Sequence, residues 1–99
     1  MTIASGDTLV GFLVYGVDPD DGEHWLITFM IDHRFQGCGL ARKALDAFLH
    51  RFDDEHPSAM LTLGHRPGNL VAAHLYETSG FAATGELIGG EIIRRRPPA

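Results

Sequence analysis

The chain has 99 residues, 44% of them hydrophobic and 21% charged, with a net charge of -5; this length fits one small domain and excludes two independent cores. The composition is that of a globular chain rather than a disordered one, no apolar run reaches the ~18 residues of a membrane span, and a single cysteine, Cys38, excludes an internal disulfide and a multi-cysteine zinc site. Six acids and no Lys or Arg precede Arg34, while all eight bases lie from Arg34 onward, a distribution that argues against a nucleic-acid groove and suits either a cationic small partner or a solvated acidic turn.

The first residues carry neither a basic charge nor a signal-type apolar core, so the expected setting is cytoplasmic with no membrane partner. Residues 9–17 (LVGFLVYGV) and 23–31 (EHWLITFMI) are apolar runs rich in β-branched and aromatic residues, separated by Asp18-Pro19-Asp20-Asp21-Gly22, and they read as a β-hairpin. The second run is nearly unbroken, as a strand covered on both faces should be. Leu40, Ala41, Ala44, Leu45, Phe48, Leu49 and Phe52 then fall on one face at helical spacing. Residues 59–63 (AMLTL) form the next expected strand. A second helix is expected from Asn69, a good N-cap, to about Thr78, with Ser79-Gly80 as its stop. Final strands over 81–84 and 91–95 are joined through 85–90. One domain over residues 1–99, with an α/β mixed sheet in two or three layers, follows from this order. The run Arg94, Arg95, Arg96 suits an exposed or interface face.

The strongest chemical signal is Gln36-Gly37-Cys38-Gly39-Leu40-Ala41, between the second strand and the long helix. Glycines there let backbone N–H groups turn toward one concavity and the helix start adds partial positive charge, so the loop suits a phosphate or pyrophosphate. The same glycines also suit a tight turn selected for packing. Neither the third glycine of a dinucleotide fingerprint nor the Gly-Lys-Ser/Thr of a P-loop is present.

Asn69-x-x-Ala72-x-x-Leu75-Tyr76-x-x-x-Gly80-Phe81 follows the third strand. In this order the two segments resemble the GNAT superfamily of acetyl-CoA-dependent N-acetyltransferases. Gln36, Gly39 and Ala41 match its pyrophosphate loop, written Gln/Arg-x-x-Gly-x-Gly/Ala, and the second segment matches its Asn…Ala…Leu-Tyr…Gly-Phe run. The resemblance implies a mixed, mostly antiparallel α+β sheet in which the strand holding Phe29, Met30 and Ile31 splays from its neighbour, leaving a gap for the pantetheine arm. It further implies that Gln36, Gly37, Cys38, Gly39, Leu40 and Ala41 hold the pyrophosphate of acetyl-CoA. Arg42 and Lys43 would reach phosphate oxygens or remain solvated, and Asn69 would contact the cofactor or cap its helix without any ligand. Tyr76 is implied as the acid that protonates the departing thiolate, or else it is a core tyrosine. Cys38 is suited to reactivity at a helix start, but the family transfers acetyl directly.

The attacking amine must lose a proton, since an alkylamine of pKa ~10.4 is charged at neutral pH. Family members often place a carboxylate midway along the central strand, where this chain has Ile27 and Thr28. Glu23, His24, Glu86 and Glu91 are the candidates left, each better suited to a surface or hairpin position than to the role of base. None of the six histidines forms an i, i+4 pair and no HExxH occurs, so no metal is expected.

Over nearly its whole length the chain is also similar to the bacterial spermine/spermidine (diamine) acetyltransferases, through Gly11-Phe12, Tyr15-Gly16, Trp25-Leu26, Phe29-Met30-Ile31-Asp32, Phe35-Gln36-Gly37, Gly85-Glu86 and Gly90-Glu91. That similarity implies a small-molecule amine as acceptor, a polyamine such as spermidine or spermine, attracted by the acids of the hairpin or by Glu86 and Glu91. Protein amines, another small amine, and a catalytically incomplete acetyl-CoA-binding chain stay open. GNAT chains usually carry a strand and two helices ahead of the hairpin, forming one wall of the acceptor site. Without them a hydrophobic face is left bare, and either a homodimer or an upstream segment lost from this chain is expected to account for its cover.

Overall fold

The computed structural model describes residues 2–5, 8–32, 34 and 39–98. Among the described residues six strands and two helices follow one another as β1 (Thr2–Ser5), β2 (Thr8–Val17), β3 (His24–Ile31), α1 (Leu40–Glu55), β4 (Leu61–His65), α2 (Leu70–Thr78), β5 (Ala82–Ile88) and β6 (Glu91–Arg96). The strands form one sheet in the order β1-β2-β3-β4-β6-β5. Only β3 and β4 run parallel; the other four pairings are antiparallel. The mixed, mostly antiparallel α+β sheet expected from the sequence is thus the one observed.

The acids between β2 and β3 build their own turn. Asp18 Oδ1 accepts a hydrogen bond from the Asp20 amide and Asp21 Oδ1 one from the Glu23 amide, an arrangement that mimics a backbone turn. Three boundaries depart from the sequence expectation. Four residues at the start, β1, add an unforeseen edge strand, too short to carry a periodic signal. Strand β4 lies two residues later than expected because Gly64 and His65 pair with Ile93 and Ile92. Strand β5 runs on to Ile88, since Gly89 (φ 58°) and Gly90 (φ 80°) supply the two positive φ angles of a two-residue hairpin turn.

The core forms on one face of the sheet. Leu45, Phe48, Leu49 and Phe52 of α1, at i, i+3, i+4, i+7, pack with Leu13, Leu26, Leu61 and Leu63, and Tyr76 and Phe81 extend the same cluster. His65, two residues beyond Leu63, meets the Tyr76 ring with centroids 6.0 Å apart. Both helices therefore cover this face and the molecule has two layers. The opposite face carries Phe12, Val14, Ile27 and Met30, all exposed.

The three consecutive arginines, expected on an exposed or interface face, each have a structural partner. Arg94 donates to His65 Nε2 and to the Phe81 carbonyl. Arg95 grips Glu23 and Thr62 on the other face. Arg96 pairs with Asp53 of α1 through two 2.7 Å bonds, so the last strand is tied to the long helix. Hydrogen bonds from Arg96, opposed by burial, hold the Asp53 carboxyl below its usual range.

A carboxylate with a lowered folded pKa stabilises the fold fully above the unfolded value of about 3.9, and loses that contribution as pH falls through the folded value. Asp53→Asn should therefore cost about 1–3 kcal/mol at neutral pH. In urea unfolding across pH, the gap between wild type and variant should be constant above about pH 5 and close in the acid range below about 3.9.

Candidate active site at the splayed strands

Strand β3 pairs with β2 along its length, but with β4 only over His24–Leu26 against Leu61–Leu63. The parting coincides with a register shift against β2 between Val14 and Tyr15, where Val14 faces Thr28 and Tyr15 faces Leu26. Ile27 is thus the extra residue of a β-bulge, which bends the strand carrying it. The bulge also explains why Leu26 and Phe29, three residues apart, both join the core side. Beyond Leu26 the β4-facing backbone groups of β3 lie outside the parallel ladder.

The gap opens into a cleft of about 300 Å³ lined by Phe29 and Ile31 of β3, Gly39 and Ala41 at the start of α1, and Asn69, Val71, Ala72, Leu75 and Tyr76 of α2. Six of the site residues expected from the sequence thus meet around one space, Phe29, Ile31, Gly39, Ala41, Asn69 and Tyr76, with the motif residues Ala72 and Leu75 beside them. The Met30 side chain is turned to the opposite face and is 54% exposed. Leu40 begins α1 without lining the cleft. Gln36, Gly37 and Cys38 lie outside the described residues.

The two helix starts differ in a way that bears on ligands. Asn69 accepts a hydrogen bond from the Ala72 amide and caps α2. By contrast α1 begins after Gly39 in the left-handed conformation (φ 76°), with no side-chain cap and no acid in its first turn, where Arg42 and Lys43 stand instead. Basic residues at a helix start oppose the helix dipole. The arrangement suits an anion resting on the uncapped amides, and the donor set fits a pyrophosphate there. Arg42 itself is held by Thr78 and Ser79 at the end of α2, which links the two helices bordering the cleft.

Tyr76 is wedged between His65 and Phe81 and is 8% exposed. Burial first, and the Glu91 carboxylate second, push its phenol above the ordinary value, so the group stays protonated at neutral pH. Of the candidate bases, Glu23 is engaged by Thr62 and Arg95, with the Thr62 hydrogen bond the largest cause of its lowered pKa. His24 shares a hydrogen bond with the Tyr15 hydroxyl, at the end of β3 remote from the cleft. Glu86 is exposed on β5. Glu91 lies with Oε1 only 2.9 Å from the position a Gly64 Cβ would take, at the end of β4 that borders the gap.

The family model described as Acetyltransferase (GNAT) family matches residues 1–81. The chain belongs to this family. A spermine/spermidine N(1)-acetyltransferase of Bacillus subtilis (strain 168) is 36% identical over 92 residues, covering 86% of this chain and 60% of that protein. The ribosomal-protein-S18-alanine N-acetyltransferase from Escherichia coli superposes with a TM-score of 0.79 at 25% identity, over 97% of this chain and 66% of the other. The PaiA N-acetyltransferase from Thermoplasma acidophilum, solved in complex with coenzyme A, shares the fold at 16% identity with a TM-score of 0.77, over 95% of this chain and 57% of that one. This GNAT chain therefore spans about 60% of the length of the curated relative it matches.

Val71, Ala72 and Leu75 complete the GNAT cleft without having been named as site residues. Their signal was available in part: Asn69, Ala72 and Tyr76 are three and four apart, one face of a helix. Replacing the cap, Asn69→Ala, should lower stability by about 1 kcal/mol and the melting temperature by about 4–8 °C. Asn69→Asp, which keeps a capping oxygen, should melt close to wild type in the same calorimetric scan.

Proposed function

We propose that the protein is an acetyl-CoA-dependent N-acetyltransferase acting on a primary amine, most simply a polyamine such as spermidine or spermine. The observation that carries this reading is the cleft at the β3–β4 parting, where Tyr76 and an uncapped helix start border the same space. Membership of the family and the similarity to a spermine/spermidine acetyltransferase support it.

When bound, acetyl-CoA supplies an activated acetyl group and a thiolate leaving group. Gly39, Leu40, Ala41 and the preceding Gln36, Gly37 and Cys38 would hold its pyrophosphate, with the α1 dipole favouring the negative charge. The backbone of Phe29, Met30 and Ile31 would carry the pantetheine arm along the open edge, which needs no particular side chain from Met30. A strand amide near Ile31 would meet the developing oxyanion. With acetyl-CoA in place, the neutral amine would attack the carbonyl carbon as the carbon–sulfur bond breaks; the amine's proton would pass to solvent, the sulfur would take one from a protein acid, and that acid would recover its proton from solvent. Tyr76 is the donor to sulfur: its raised pKa keeps the phenol protonated until the thiolate forms beside it. Arg42 acts through α2, by holding Thr78 and Ser79, and so positions the helix that bears Tyr76.

The exposed face of Phe12, Val14, Ile27 and Met30 is the one a second copy would cover in the homodimer that belongs to this reading. No helix among the described residues is long and apolar enough to cross a membrane; a cytoplasmic setting is part of the same proposal.

Thiol release from acetyl-CoA in the presence of spermidine tests the activity. Tyr76→Phe should lower turnover about 100-fold or more, the range of positioned proton transfer, while stabilisation of the fold by acetyl-CoA in a thermal shift stays intact. Stabilisation without turnover in the wild type, with any amine offered, would make the chain a cofactor-binding module instead.

A further inference from the structure

We propose that Glu91 is the carboxylate that receives the charged acceptor amine beside Tyr76, an assignment that rests on the amine-acetyltransferase reading above. Most of the other acids expected to attract a cation are already spent or remote, and Glu86 stands on the edge strand β5, which β6 separates from β4 and the gap. Asp18 and Asp21 fold the β2–β3 turn, and that turn precedes the eight residues of β3, which at about 3.3 Å per residue put it roughly 25 Å from Ile31 at the cleft. Glu23, Asp32, Asp53 and Glu55 each hold an arginine. Among the described residues no cation pairs with Glu91, and Arg95, on the same face of β6, is committed to Glu23 and Thr62.

Glu91 also lies against the end of β4 that borders the gap. Its side chain lies across Gly64, so close that a Cβ there would meet Oε1 at 2.9 Å. His65, the next residue of β4, faces the other side of the sheet and touches Tyr76. Carboxylate and phenol therefore approach the end of β4 from its two faces. Strand β3 has already parted from β4 at Leu26 and Leu63, so this end of β4 borders the open gap. Glu91 also contributes to the raised pKa of the Tyr76 phenol, after burial, as a nearby negative charge should.

A polyamine presents one neutral nitrogen for attack and keeps its others as ammonium groups, since an alkylamine titrates near pKa ~10.4. One of those ammonium groups donates to Glu91 in a charge-assisted hydrogen bond, and the missing side chain at Gly64 leaves room for the carboxylate that accepts it. Glu91 thereby selects cationic acceptors and fixes which nitrogen faces the thioester.

Isothermal titration of spermidine into the full chain saturated with coenzyme A tests the assignment. Glu91→Gln should weaken spermidine binding about 10-fold or more, the scale of one charge-assisted hydrogen bond, with coenzyme A affinity and melting temperature unchanged. Gly64→Ala retains the charge but displaces the carboxylate, and should weaken spermidine binding in the same direction. Wild-type affinity for spermidine in Glu91→Gln overturns the proposal. A wild-type chain that binds coenzyme A and ignores spermidine also overturns it, while leaving an acetyltransferase for another amine in place. A chain that binds no coenzyme A overturns the acetyltransferase reading and Glu91's role with it.

Discussion

A three-residue parallel ladder between β3 and β4 governs the rest of this molecule. Sheets maximise backbone pairing, and a longer ladder here would bury more donors and acceptors. The bulge at Ile27 prevents it by bending β3 while β2 still holds the strand on its other side. The outcome is a sheet closed at one end and open at the other, with α1 crossing from the open end of β3 back to the start of β4. The cleft is thus made by backbone geometry, and its apolar lining follows from the core residues that border it. Phe29 and Tyr76 serve both the core and the cleft.

Charge completes what the backbone begins. Arg94, Arg95 and Arg96 alternate between the two faces of β6, as strand residues must, and fasten it to β4, to the β2–β3 hairpin and to α1. Thr62 is wholly buried yet satisfied, because Glu23 and Arg95 meet at its hydroxyl. These links commit most of the well-placed carboxylates to holding the fold. What is left near the cleft is set apart by having no such duty.

The hairpin, both helices and the mixed sheet were legible because each carries a strong local period: unbroken apolar runs for β2 and β3, and Leu45, Phe48, Leu49 and Phe52 for α1. The motif residues were legible as a set, and the fold gathers Phe29, Ile31, Gly39, Ala41, Asn69 and Tyr76 around one space. Other features depend on long-range register, which local pattern does not encode. Strand β1 exists only because β2 offers it an edge, and β4 extends through Gly64 and His65 only because β6 is beside it. The partners of the three arginines were hidden for the same reason, since Asp53 and Arg96 are 43 positions apart. The placing of Glu91 over Gly64 likewise requires the β4–β6 register and could not be read from either residue alone.

The network at Thr62 has a consequence for motion. Glu23, Thr62 and Arg95 lock the closed end of the sheet, next to the stacked rings of Tyr15 and His24. At the other end β3 has β2 alone for a ladder partner. Local opening is cheapest where backbone bonds are fewest and contacts sparsest. Strand β3 is therefore graded along its length, with ladder partners on both sides near Trp25 and on one side near Met30. One strand serves as anchor at its first residues and as a compliant jaw at its last, so a guest entering the gap can be gripped without disturbing the packing that holds the molecule together.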